Sequence, residues 1–218
     1  MEIKAVLFDL DGTLIDSSEG IIKSARYALS HFGLEEPDTD KLYQFIGPPL
    51  SDSFRNIYGF SEEKAKEAVE VYRRRYNKTG IFECRLYPGV EECIKTLKRQ
   101  GLRIGMASSK PEQSCRRILE HFGILDLFDE VVGATFDGTR DKKEEVLQEA
   151  FRRWENLSLD QMCLIGDTVY DAKGAARAGI SCIAVTYGFG DLEEMKKAGI
   201  AAVCEKIGEL PALIERNL

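Results

Sequence analysis

The chain has 218 residues, 44% apolar and 31% charged, a composition that suits one or two soluble domains with a sizeable core. Basic side chains number 30 and acidic ones 37, so the formal charge is −7, which argues against a nucleic-acid surface. No apolar run approaches the roughly 20 residues of a membrane-spanning helix, so neither a nucleic acid nor a membrane is expected as a partner.

The N-terminal stretch MEIKAVLFDLDG carries an apolar run that passes straight into acids and lacks a small-residue cleavage site. It reads as a buried first strand, residues 3–9, of a cytoplasmic protein. From about residue 16 to residue 80 no good strand pattern occurs. Ile21, Ile22, Ala25, Leu29 and Phe32 form one helical stripe, closed by Gly33. Ala65, Ala68, Val69, Tyr72 and Tyr76 form another. Ser61 is its expected N-cap, Glu62 and Glu63 favour its first turn, and Gly80 is its expected stop.

Strands and helices then alternate. Strands are expected at residues 102–108, 130–134, 161–167 and 181–186, with a weak one at 201–204. Helical stripes lie between them: Val90, Cys93, Ile94 and Leu97 before Gly101; Cys115, Ile118, Leu119 and Phe122 before Gly123. Val146, Leu147, Ala150, Phe151 and Trp154 follow, then Ala172, Ala175 and Ala176 before Gly179. Near-continuous apolar runs suit parallel strands covered on both faces. The alternation implies an open, doubly wound α/β sheet. The expected division is a core of residues 1–15 and 84–218 with an all-helical cap at 16–83. Such an insert is expected over the C-terminal ends of the strands, where these sheets bind ligands, and reads as a lid.

The six cysteines form no C-x-x-C pair and are expected to be reduced core residues. His31 and His121 each precede Phe-Gly at an expected helix C-terminus, a position the helix dipole favours.

Four features fall at strand ends or helix starts. Asp9-Leu10-Asp11-Gly12-Thr13 follows the first strand. Two acids in a tight turn can bind a hard cation, or serve as a nucleophile and a general acid. Ser108 ends the strand LRIGMAS, followed by Ser109 and Lys110, and its hydroxyl can donate to a phosphoryl oxygen. Lys143 opens a helix after the loop DGTRDKK, with Lys142 as its rival. A lysine there can neutralise a phosphate and an aspartate together. Asp167 and Asp171 of Gly166-Asp167-Thr168-Val169-Tyr170-Asp171 lie one helical turn apart and can share a cation or a lysine.

In this order the four features resemble the motifs of the haloacid dehalogenase superfamily of phosphohydrolases: Asp-x-Asp-Gly-Thr, a strand-ending Ser or Thr, a Lys, and Gly-Asp-x-x-x-Asp. The resemblance covers essentially the whole chain. The loop Phe45-Ile46-Gly47-Pro48-Pro49-Leu50 resembles that of the phosphoglycolate phosphatase branch, although many of its members carry the lysine in a Lys-Pro-x-Pro setting. Aligning the variant found here favours Lys143. The resemblance implies a Rossmann-like core and a Mg2+-dependent phosphatase that forms an aspartyl-phosphate on Asp9. Mg2+ would be held by the Asp9 carboxylate, the Asp11 carbonyl, Asp167 and the substrate. Asp11 would serve as acid and then base, Ser108 and Lys143 would clamp the phosphoryl group, and Asp171 would orient Lys143 or metal-bound water. Gly12, Thr13, Ser109, Gly47 and Pro48 complete the expected phosphate and substrate contacts.

The expected substrate is a small phosphate monoester, phosphoglycolate-like, with a 5′-nucleotidase or a sugar-phosphate mutase as alternatives. Asp11 argues against dehalogenation, and the lack of membrane helices argues against a cation pump. A receiver domain carries its phosphorylated Asp on a later strand and has no large lid. Arg55 and Arg73-Arg74-Arg75 are either solvated or meet an anionic substrate. A monomer and a homodimer both remain open.

Overall fold

A computed structural model describes residues 2–137, 139–154 and 156–216. In chain order, β1 (Ala5–Phe8) precedes four helices, α1 (Ser18–His31), α2 (Thr39–Tyr43), α3 (Leu50–Tyr58) and α4 (Glu62–Tyr76). There follow α5 (Val90–Arg99), β2 (Arg103–Pro111), α6 (Glu112–His121), β3 (Glu130–Ala134) and α7 (Lys143–Arg153). The chain ends with β4 (Met162–Gly166), α8 (Val169–Ala178), β5 (Ser181–Val185), α9 (Leu192–Ala198), β6 (Ala202–Cys204) and α10 (Leu210–Glu215). It forms two compact units, one of residues 1–15 and 86–218, the other of residues 16–85.

The first unit is a six-stranded sheet in the order β3-β2-β1-β4-β5-β6. Every pairing in it is parallel. All four residues of β1 are fully buried, as a central strand covered on both faces requires. One core layer joins Ala5 and Leu7 of β1 to Val146, Leu147, Ala150 and Trp154 and to Ala172 and Ala175 of α8. Gly105 makes room for the indole, since a Cβ there would stand 2.7 Å from Trp154 and from Leu7. Strand order reverses at β1, with β2 on one side and β4 on the other. Such a switch point opens a crevice at the carboxyl ends of the strands.

The second unit is helical. Ile21, Ile22, Ala25, Ala28 and Leu29 of α1 are buried, as are Ala65, Ala68, Val71, Tyr72 and Tyr76 of α4. Val69, expected in that stripe, is only half-buried, and Val71 takes its place. Ser61 caps α4 by accepting from the Lys64 N–H. Gly80 is not the helix stop: α4 ends at Tyr76, and Gly80 opens a 3-10 turn, Gly80–Phe82. Its carbonyl is pressed against Gly20, where a Cβ would stand 2.0 Å away. Arg75 is not a solvated cation either, because it forks onto Glu83 at 2.7 and 3.0 Å and donates to Ser24 at 3.0 Å.

Five of the six cysteines are buried and all are unpaired. Burial pushes the Cys115 and Cys163 thiols up to about 12, so they stay protonated. Among the described residues no helix is long and apolar enough to cross a membrane.

Candidate active site

Beyond β1 the chain turns sharply. The Leu10 carbonyl accepts from the N–H groups of Thr13, Leu14 and Ile15, and Gly12 takes φ +80°. That conformation suits glycine, and the space also demands it: a Cβ would stand 2.0 Å from Asp167 Oδ2. Asp9 still keeps strand register, donating from its N–H to Ile165 O at 2.9 Å. Its carboxylate therefore leaves the central strand at the crevice end.

Lys143 is the first residue of α7, and only 6% exposed. Its ammonium meets Asp9 Oδ1 at 2.7 Å, Ala107 O at 2.9 Å and Asp171 Oδ1 at 2.9 Å. Two hydrogen bonds, to Asp9 and the Ala107 carbonyl, and an ion pair with Asp171 thus hold the ammonium. The stem passes over α8 at Gly174, where a Cβ would stand 2.4 Å from Lys143 Cγ. Lys142 points away, exposed and 3.9 Å from Glu145. Asp171 is held in turn: its Oδ2 accepts from the Thr168 N–H at 3.0 Å and hydroxyl at 2.8 Å, at the start of α8.

Asp167 follows β4 and is buried. Its Oδ1 accepts from the Thr13 hydroxyl at 3.2 Å and its Oδ2 from the Phe189 N–H at 2.8 Å. Thr13 is itself anchored, its carbonyl accepting from the Tyr187 hydroxyl at 2.9 Å. Two glycines admit this contact. A Cβ on Gly188 would stand 2.3 Å from Asp167 Cβ, and one on Gly190 would stand 2.1 Å from Asp167 O. The sequence reading missed this loop, residues 186–190. In sequence its two glycines, shortly after a buried strand, mark only a turn.

Ser108 is buried on β2, which does not end there as expected but continues to Pro111. Its Oγ accepts from the Lys110 N–H at 3.3 Å, leaving its own proton to donate elsewhere. Ser109 is exposed. Lys110, to which the sequence reading gave no role, brings its Nζ to 2.5 Å from Asp11 Oδ2. Gly47, exposed with φ +104°, and Pro48 belong to the helical unit.

Burial pushes Asp9 up to about 6; Lys143 pulls it down, while Asp171 and Asp11 add to the rise. Burial also drives Asp167 well above the carboxylate range, with Asp171 and Asp9 reinforcing it. Burial works against the charge on Lys143, yet Asp171 and Asp9 outweigh it and keep the ammonium protonated. Carboxylate oxygens of Asp9, Asp167 and Asp171 lie within 4.8 Å of one another. Oxygen donors at this spacing, three carboxyl groups around one ammonium, fit a hard divalent cation. The Asp11 carboxylate stands outside this group, on Lys110.

Residues 6–185 match the family model described as haloacid dehalogenase-like hydrolase. A 5′-nucleotidase of Pseudomonas aeruginosa is 40% identical over 212 residues, 97% of this chain and 96% of that protein. The tyrosine-protein kinase PtkA of Mycobacterium tuberculosis is 37% identical over 91% of this chain and 67% of its own length. A phosphoglycolate phosphatase of Nitrosospira multiformis is 29% identical over 100% of this chain and 98% of its own. Among solved structures, one from Clostridium acetobutylicum described as a predicted phosphatase superposes with a TM-score of 0.92 at 41% identity, covering 99% of this chain and 100% of that one.

Proposed function

The chain belongs to the haloacid dehalogenase-like hydrolase family and is a phosphoric monoester hydrolase, and from that premise we propose that Asp9 is its phosphoryl acceptor. The observation that carries this is the setting of Asp9, at the switch point of the sheet, 2.7 Å from the Lys143 ammonium and within 4.8 Å of two further carboxylates.

In the proposed reaction an Asp9 carboxylate oxygen attacks phosphorus in line. The P–O ester bond breaks, its electron pair stays on the leaving oxygen, and Asp11 supplies a proton to that oxygen. Water then attacks phosphorus, giving its proton to Asp11, and the aspartyl P–O bond breaks to free phosphate and restore Asp9. The Ser108 hydroxyl donates to a phosphoryl oxygen, and Lys143 balances charge on the phosphoryl group. Phosphoryl transfer asks mostly for such positioning and charge stabilisation. Asp9 and Asp167 would hold Mg2+, with the Asp11 carbonyl; the ion would offset the charge of nucleophile and substrate when bound. Asp171 acts through Lys143. Gly12 and Thr13 act through Asp167, and Ser109 adds a phosphate contact.

We assign selection of the alcohol part to the helical unit, with Gly47 and Pro48 in its loop, as a lid. Nucleoside 5′-monophosphates are the first substrates to test, because the 40% identical relative carries the name 5′-nucleotidase. Phosphoglycolate, on the loop resemblance, is the second. The test is Asp9→Asn with p-nitrophenyl phosphate and Mg2+, beside a panel of both substrate types. Turnover should fall below about one part in a thousand, the scale lost when a reaction's nucleophile is removed. An Asp9→Asn enzyme with full Mg2+-dependent activity would sink the assignment.

A further inference from the structure

Lys110 occupies an irregular stretch of β2. Ser108 pairs with Gly133 of β3, and the next pair is Pro111 with Ala134, so Ser109 and Lys110 are two extra residues between successive register pairs. Extra residues of this kind re-aim side chains and are common beside active sites. Gly133 permits the bulge, because a Cβ there would stand 2.5 Å from both Lys110 O and Glu112 N. The bulge turns the Lys110 side chain, only 8% exposed, onto the loop after β1, with Nζ 2.5 Å from Asp11 Oδ2. The other oxygen, Asp11 Oδ1, is buried and accepts no hydrogen bond among the described residues.

Stability alone gives a weak reason for this pair. Burying an ammonium is costly, and exchanging a buried ion pair for apolar residues is often neutral or favourable. A chemical role accounts for it better. An acid–base catalyst needs its carboxyl group fixed while the proton comes and goes. A donor on one oxygen serves both states, since a protonated carboxyl keeps one oxygen as an acceptor.

We propose that Lys110 is a positioning residue for Asp11, holding Oδ2 so that Oδ1 exchanges the proton, first with the leaving oxygen and then with water. This rests on the reading of Asp11 as acid and base. Each cycle returns the proton to Asp11, so no further reactant is needed.

The test is kcat/KM for aryl phosphates of graded leaving-group acidity, from p-nitrophenyl to p-methoxyphenyl phosphate. That constant covers steps only through phosphoryl transfer to the enzyme. A p-nitrophenolate leaves without a proton, whereas p-methoxyphenolate needs one. Lys110→Met should lower kcat/KM about tenfold on p-methoxyphenyl phosphate and less than about twofold on p-nitrophenyl phosphate, a part of the 10²–10⁴ that acid–base catalysis supplies. Lys110→Arg should recover part of the loss. Lys110→Gln carries the same comparison should the methionine variant not fold. The same factor across the series, or no loss, would overturn the proposal. Asp11→Asn separates the underlying reading. If it keeps the wild-type leaving-group dependence, Asp11 is not the acid. If it steepens that dependence while Lys110→Met does not, only the role of Lys110 falls.

Discussion

At the scale of single residues the site turns on Lys143, whose ammonium hydrogen-bonds Asp9 and the Ala107 carbonyl and pairs with Asp171. Losing one partner of a buried ion pair leaves the other charge uncompensated, which costs roughly 3–5 kcal/mol. Lys143→Met should therefore lower both the melting temperature and kcat by large factors, whereas Lys142→Met should leave both near wild type. Equal effects from the two variants would contradict the assignment. The sequence placed a lysine here and left two rivals. Neighbouring residues of a helix lie about 100° apart, so a one-residue uncertainty in where α7 starts exchanges an inward lysine for an outward one. The order of the motifs is written in the chain; which lysine turns inward depends on α7 packing against α8.

At the scale of elements, the loop of residues 186–190 holds Asp167 by a main-chain N–H, and no local pattern announces that. Glycines after a strand read as a turn, and only the fold shows that Asp167 lies against them. Gly188→Ala should displace Asp167, since the new Cβ would fall 2.3 Å from its Cβ. Calorimetric Mg2+ affinity should drop about tenfold or more, the loss common when the surroundings of a metal ligand are disturbed. Circular dichroism should show the fold retained. Gly208→Ala is the control, because nothing lies within 4 Å of its Cβ position. Unchanged affinity in Gly188→Ala would show that the loop does not position Asp167. The bulge in β2 was hidden for a related reason: in sequence the strand ends at Ser108, and only the pairing with β3 carries it on to Pro111 and exposes the two extra residues.

At the scale of the whole molecule, continuous apolar runs separated by amphipathic helices made the parallel sheet legible, because a strand buried on both faces leaves no polar alternation. The helical unit was harder to read. α2 and α3 have only 5 and 9 residues, too few turns for a periodic stripe to stand out. Gly80 looked like a stop because helices often end at glycine, yet contact with Gly20 explains it. Charge sets the behaviour of the assembled site. Asp9, Asp11, Asp167 and Asp171 face Lys110 and Lys143, so their full ionisation leaves two negative charges. In metal-free protein Asp9 titrates near 6 rather than 3.8. The folded state then holds a proton that the unfolded chain has lost, and stability falls as pH rises through that window. With a chelator present, Asp9→Asn should gain melting temperature relative to wild type between about pH 4 and 6. A difference that stays flat, or moves the other way, would contradict this.

The central claim is that phosphate passes through Asp9. Acid quenching during turnover of a labelled monoester, borohydride reduction of any acyl phosphate and peptide mapping address it directly. The account predicts homoserine at position 9, formed only with substrate present and absent from Asp9→Asn. Reduction at another aspartate, or none under conditions where the acyl phosphate accumulates, would contradict it.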